Sequence, residues 1–225
     1  MKASERASTV LMWAAVLSAV TSTALLVERR FSTSRGSQAD PWAQPLKLVD
    51  GWETLVDSGL RIGPANARIQ VVEFGDFECP ACKSFGEKVL DPLLRRYPAQ
   101  IALTFKHWPL EYHRFARRAA IAAECSGKEG RFPSFYEAAY AHQDSIGLIS
   151  FADIARRAGL IDTVAFNECL ASDRFDKTLQ RDLALVDRLD ARGTPVIIVN
   201  GLLLPTTPTS ERFERLLDSL GLRRQ

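Results

Sequence analysis

Metal ligands, blocks of like charge and sequence repeats are all scarce in this chain of 225 residues, which holds three histidines, four cysteines and two methionines. A zinc centre needs four ligands. Beyond Cys79-Pro80-Ala81-Cys82 there is no second Cys-x-x-Cys and no close His/Cys pair, so Cys125 and Cys169 would complete such a site only by a coincidence of folding. We assign no metal. The net charge is only +2 and the basic residues are scattered, which gives no footprint for nucleic acid or another polyanion. No internal repeat or low-complexity segment is found. What remains is an ordinary globular composition, 46% hydrophobic and 25% charged, sized for one domain plus an attached segment.

One long uncharged run is present, from Thr9 to Val27, preceded by Lys2 and Arg6. It lies at the lower edge of what spans a bilayer and above the usual apolar core of a cleaved signal. Thr21-Ser22-Thr23 and Ser32-Thr33-Ser34 are weak as cleavage sites, so residues 1–27 read as a signal anchor, with a cleaved signal peptide as the alternative. Arg29, Arg30 and Arg35 balance the basic residues ahead of the run, and charge does not decide its orientation. A reversible disulfide decides it instead, because such a pair belongs on the oxidising side of a membrane. The expected location is periplasmic or extracytoplasmic, attached to the inner membrane through residues 9–27.

Residues 28–62 read as a tether and N-terminal extension, with Trp52, Leu55, Val56 and Leu60 spaced to pack on the adjoining domain. The domain proper is expected over residues 63–222. Ile69 to Phe74 and Gln100 to Phe105 read as strands, and between them Phe85, Val89, Leu90, Leu93, Leu94 and Tyr97 recur at helical spacing, with a kink expected at Pro92. From about residue 112 to 189 helical patterns dominate. Strand character returns at Pro195 to Val199, where Asn200-Gly201 ahead of Leu202-Leu203-Leu204 signals a hairpin. Phe213, Leu216, Leu217 and Leu220 close the chain as an amphipathic helix capped by Thr209 or Ser210. The order strand, helix, strand, helical block, hairpin, helix is an α/β thioredoxin plan with helices inserted in its middle.

Cys79 and Cys82 carry the chemistry. Two thiols separated by two residues at a helix start can open and close a disulfide reversibly. Unpaired N–H groups and the helix dipole favour a thiolate on Cys79, and Pro80 suits the first helical position because it has no N–H. Cys79 is therefore the nucleophile and Cys82, one turn further in, the resolving thiol. Glu78 and Lys83 read as solvated charges flanking the site, and His107 and His113 as structural. Phe77, Phe85 and Trp108 read as core, a groove for unfolded polypeptide being the alternative. Cys125 and Cys169 are left over; in an oxidising compartment they are expected to pair, worth about 4 kcal/mol by chain entropy, with two buried free thiols as the alternative.

The segment Val71-Val72-Glu73-Phe74-Gly75-Asp76-Phe77-Glu78-Cys79-Pro80-Ala81-Cys82, together with Phe105-Lys106-His107-Trp108-Pro109-Leu110 and Gly193-Thr194-Pro195-Val196, resembles the DsbA-like thiol:disulfide oxidoreductases of the thioredoxin superfamily. The resemblance implies a cis peptide bond at Thr194-Pro195 facing the cysteines, whose backbone pairs with substrate. It also implies that Glu73 is a buried acid assisting proton transfer at Cys82. The expected activity is insertion of disulfides into reduced exported polypeptides, with no cofactor beyond the redox-active disulfide Cys79-Cys82. A membrane quinone-linked thiol oxidase is the expected reoxidant. Thr194 is similar to the residue of periplasmic isomerases, so a reductase or isomerase stands as the rival. A non-catalytic chaperone or metallochaperone is the rival from another class.

Overall fold

The structure, a computed structural model, describes residues 40–222. The uncharged run from Thr9 to Val27 lies outside the described residues, and within them no helix is long and apolar enough to cross a membrane. Residues 40–44 belong to a first unit and hold a 3-10 turn, Pro41–Ala43, in which the Asp40 side chain accepts the Trp42 N–H. Pro45 onward forms the second unit.

That second unit is built on a sheet whose strands are β1 (Lys47–Leu48), β2 (Leu60–Ile62), β3 (Ile69–Gly75), β4 (Ile101–His107), β5 (Val196–Val199) and β6 (Leu202–Leu203). Their order is β1-β6-β5-β3-β4-β2, with β3 and β4 parallel and every other pairing antiparallel. Strand β3 lies inside the sheet and is buried along its whole length, Gln70 and Glu73 included. Asn200 and Gly201, both at positive φ, turn the chain between β5 and β6. Glycine is needed at Gly201, where a Cβ would come within 2.5 Å of the Trp52 ring. Strands β1 and β2 come from the stretch read as extension, so the sheet recruits part of it.

Successive side chains of β3 and β4 point to opposite faces, and the two faces differ. On one, Val72 and Phe74 pack with Val196, Ile198, Leu55 of α1 (Glu53–Val56) and Val186 of α8 (Asp176–Arg188). On the other, Phe105 joins Phe77, Phe132 and Tyr136 in tilted and edge-on aromatic contacts. Helix α8 thus packs on the sheet, although its sequence is continuous with the helical block. The block itself comprises α4 (Ala116–Lys128), α5 (Phe132–Ala141), α6 (Phe151–Arg157) and α7 (Thr163–Leu170). Cys125 on α4 and Cys169 on α7 are joined by a disulfide spanning 44 residues. Capping is explicit: Ser150 and Asp153 form a capping box on α6, and Asp162 accepts two N–H groups of α7.

Between β3 and β4 the chain forms α2 (Pro80–Phe85), a π-helical turn (Gly86–Leu90) and α3 (Asp91–Arg96). The irregularity expected at Pro92 falls just before it, as a widened turn. Proline cannot donate to the carbonyl four residues back, that of Lys88. Ser210, the first residue of α9 (Ser210–Ser219), donates its hydroxyl to that carbonyl at 2.9 Å. Thr209 caps α9 by accepting the Arg212 N–H, and Phe213 packs edge-on against Phe85.

Candidate active site

The turn from β3 into α2 is fixed by a residue that pattern reading passed over. Asp76 accepts the Glu78 N–H at 2.8 Å through Oδ1, an Asx turn, while its backbone carbonyl accepts the Cys79 N–H at 3.1 Å. Its Oδ2 lies 2.8 Å from the Leu110 N–H and from His113 Nδ1, which ties the loop after β4 to the same point. Gln143, also unforeseen, donates its amide to the carbonyls of Phe77 and Cys79 at 2.8 and 3.0 Å. An Asp three residues ahead of the cysteines was the available signal for the first. Gln143 opens the 3-10 turn Gln143–Ser145 that follows α5 and had none.

Glu78 is not a solvated charge. It is half-buried and its Oε2 accepts the N–H of Phe115, the N-cap residue of α4. Lys83 is half-buried on α2. His107 is buried, with Nε2 3.1 Å from Glu124 Oε1. Phe77 and Phe85 are core, and Trp108 packs half-buried against the cluster around Phe74.

Cys79 is the N-cap of α2, with extended φ and ψ, and Pro80 follows as the first helical residue. Both thiols are free; Cys79 is 7% exposed and Cys82 fully buried. Cys79, the expected nucleophile, is thus less open than a surface thiol but remains the more accessible of the two. Its Sγ lies 3.5 Å from the carbonyl of Thr194, and the Thr194-Pro195 bond is cis. The Cys79 thiol is pulled down to about 5, chiefly by the hydrogen bond from the Cys82 thiol, with the Thr194 side chain and the N–H groups of Ala81 and Cys82 helping against burial. Cys82 moves the other way, raised by burial, by its bond to Cys79 and by the charge of Glu73. One thiol ionises readily while its neighbour keeps its proton.

Glu73 stands on the aromatic face of β3, paired across the sheet with Phe105 and Ile197. It is wholly buried, and burial pushes its carboxyl up to about 8, assisted by the negative charges of Asp91 and Cys79. Tyr136 opposes this by donating its hydroxyl to Oε2 at 3.0 Å. A strand carboxylate facing solvent is excluded. Tyr136 is a further residue the sequence did not single out, because an aromatic in a helical run reads as packing.

A parallel β3–β4 unit, a hairpin, and a Cys-x-x-Cys at a helix start beside a cis-proline define a thioredoxin-like protein with a DsbA-like helical insertion. The thioredoxin family pattern matches residues 56–219, and the chain belongs to that family. Na(+)/H(+) antiporter NhaA 3 of Salinispora tropica is 35% identical over 140 residues, which are 62% of this chain and 21% of the antiporter. The chain therefore spans about a fifth of that relative's length. Disulfide bond formation protein D of Bacillus subtilis is 28% identical over 149 residues, 62% of this chain and 66% of that protein. Among solved structures, oxidised BdbD from Bacillus subtilis superposes with a TM-score of 0.65 at 23% identity, covering 73% of this chain and 94% of that one. Wolbachia pipientis alpha-DsbA1 gives 0.60 at 22% identity, covering 72% and 89%.

Proposed function

We propose that this protein is a thiol:disulfide oxidoreductase that introduces disulfides into exported polypeptides through Cys79 and Cys82. The observation that carries this reading is the split between the thiols, Cys79 drawn down to about 5 and Cys82 raised beside buried Glu73. A substrate thiolate attacks Cys79 Sγ, the Cys79–Cys82 bond breaks, and Cys82 leaves and takes a proton from Glu73. A second substrate thiolate then attacks the substrate sulfur of the mixed disulfide and expels Cys79 as a thiolate. The substrate loses two electrons and the pair gains them. A stable Cys79 thiolate is a good leaving group and stabilises the reduced pair, which favours transfer towards substrate. The thiol pair itself carries the electrons, and the reading calls for no other cofactor.

Return to the oxidised state needs an acceptor of two electrons, for which a membrane quinone-linked thiol oxidase is the fitting class. The uncharged run Thr9 to Val27, and relatives named as antiporters, support a place at the extracytoplasmic face of the cell membrane. Oxidative refolding of a reduced, unfolded test protein by the full chain, with its potential measured against glutathione, tests the proposal. Catalysed refolding lost in Cys79→Ser, at a potential well above that of thioredoxin, is the expected result. A potential at or below thioredoxin's would favour the reductase reading.

A further inference from the structure

A carboxyl group has two oxygens, and in Glu73 only one is engaged. Oε2 accepts the Tyr136 hydroxyl, whereas Oε1, equally buried, has no hydrogen-bond partner. The hydroxyl has room to reach Glu73 because of Gly86, the first residue of the π-helical turn; a Cβ there would lie 2.8 Å from Tyr136 Oη. The Tyr136 ring is held edge-on by Phe77, Phe105, Phe132 and Tyr140. Burial raises its phenol well above the ordinary value, so it stays a donor while Glu73 titrates.

We propose that Tyr136 is a positioning residue for proton exchange at Cys82: by occupying Oε2 of Glu73 it leaves Oε1 as the oxygen that carries the proton. The inference rests on the redox reading of Cys79 and Cys82. On opening, the Cys79–Cys82 bond breaks, a bond from Cys79 to the incoming sulfur forms, and the Cys82 thiolate takes the Oε1 proton. On closing, the Cys82 thiol returns its proton to Oε1, attacks Cys79 Sγ, re-forms the disulfide and expels the partner as a thiolate. Besides Tyr136 and Cys82, the ionisable groups facing Glu73 are Asp91, Cys79 and Tyr140. Asp91, raised to about 6 by burial and by Glu137, is charged where Glu73 titrates, and it holds the Glu73 proton on. Tyr136 favours the carboxylate against these influences.

The test uses the full chain with Cys79 held as a mixed disulfide with glutathione, and follows glutathione release by Cys82 as a function of pH. In the parent the rate should rise with a midpoint near Glu73's value of about 8. Tyr136→Phe should move that midpoint up by about one to two pH units and keep the high-pH rate, since one hydrogen bond to a charged group is lost. Glu73→Gln should abolish the midpoint, and adding Tyr136→Phe to it should change nothing further. Gly86→Ala, which crowds the hydroxyl, should shift the midpoint the same way and serves if Tyr136→Phe does not fold. A midpoint within a few tenths of the parent's in the folded variant overturns the inference. The infrared carbonyl band of protonated Glu73 should also move in Tyr136→Phe, which lost packing alone would not cause. If the parent releases no glutathione at any pH, the redox reading fails. The infrared band needs no turnover and then still decides whether Tyr136 holds Glu73.

Discussion

Two buried ionisable sites lie on opposite faces of the β3–β4 pair, and they are built on opposite principles. Glu73 faces the aromatic cluster with a neutral phenol as its hydrogen-bonding partner and, among the described residues, no cation in contact. Lys106, one residue further along the neighbouring strand's register, faces α8 and is paired with Asp182 at 3.6 Å. Its ammonium also reaches the carbonyl and hydroxyl of Ser58, and Asp182 accepts the His107 N–H at 3.0 Å. Charge is balanced around Lys106, where Asp182 also meets the half-exposed Arg181 at 3.3 Å, and left unbalanced at Glu73. A balanced pair holds structure, because each charge offsets part of the other's cost of burial; an unbalanced acid keeps a mobile proton near neutral pH.

The contrast can be broken first on the balanced side. Asp182→Ala strands the buried Lys106 and should cost roughly 3–5 kcal/mol in denaturant unfolding, with disulfide exchange per folded molecule retained. The double change Lys106→Met with Asp182→Leu should recover most of that loss, as replacement of a buried ion pair by apolar residues commonly does. Recovery in the double variant is the sharper result. It would mark the pair as a device of arrangement and not of chemistry.

On the unbalanced side the sign is reversed. Glu73 titrates at about 8 in the folded protein against an ordinary 4.5, so between those values the folded state holds a proton the unfolded chain has lost. Its contribution to stability therefore falls as pH rises through that window and is flat above it. Glu73→Gln should be more stable than the parent by a few kcal/mol at pH 9, on the order set by the shift, and equal to it near pH 4. Paired unfolding curves at the two pH values check this. The same variant should slow glutathione release by Cys82.

Cys79 gives an effect of opposite slope. Its folded value of about 5 lies below the ordinary 9, so the thiolate's contribution to the reduced protein is complete above 9 and is lost as pH falls through 5. The reduced parent should gain stability over reduced Cys79→Ala as pH rises from 5 to 9, read by thermal unfolding under reductant. Smallest of all, Ser210→Ala removes the hydroxyl from the Lys88 carbonyl and should cost about 1 kcal/mol, with no change in exchange rate.

Elements with a local signature were legible in advance. Strand β3 follows from an apolar run, the β5–β6 hairpin from Asn200-Gly201, and the cap of α9 from Thr209. The cysteines announced themselves by spacing. What could not be read was long-range. Tyr136 reaches Glu73 across 63 residues and Gln143 reaches Cys79 across 64, and no periodicity encodes either meeting. Lys106 and Asp182 carry no local mark, because a single sequence does not reveal that a strand and a distant helix bury each other's charge. Helix α8 reads like its predecessors in the block, and only its contact with the sheet sets it apart.

The bond between Cys125 and Cys169 gives the proposed chemistry an ancestry. A chain fresh from synthesis has four thiols and no disulfide to give, so it arrives as a client before it can be a donor. Its helical block must first be oxidised by something else, and an older copy of the same protein is a competent source. Under that reading the pool perpetuates itself. A cell that lost every oxidised copy would restart from the thiol oxidase proposed to recharge Cys79 and Cys82, and the lag before activity returned would measure how well that oxidase accepts a chain whose helical block is still reduced.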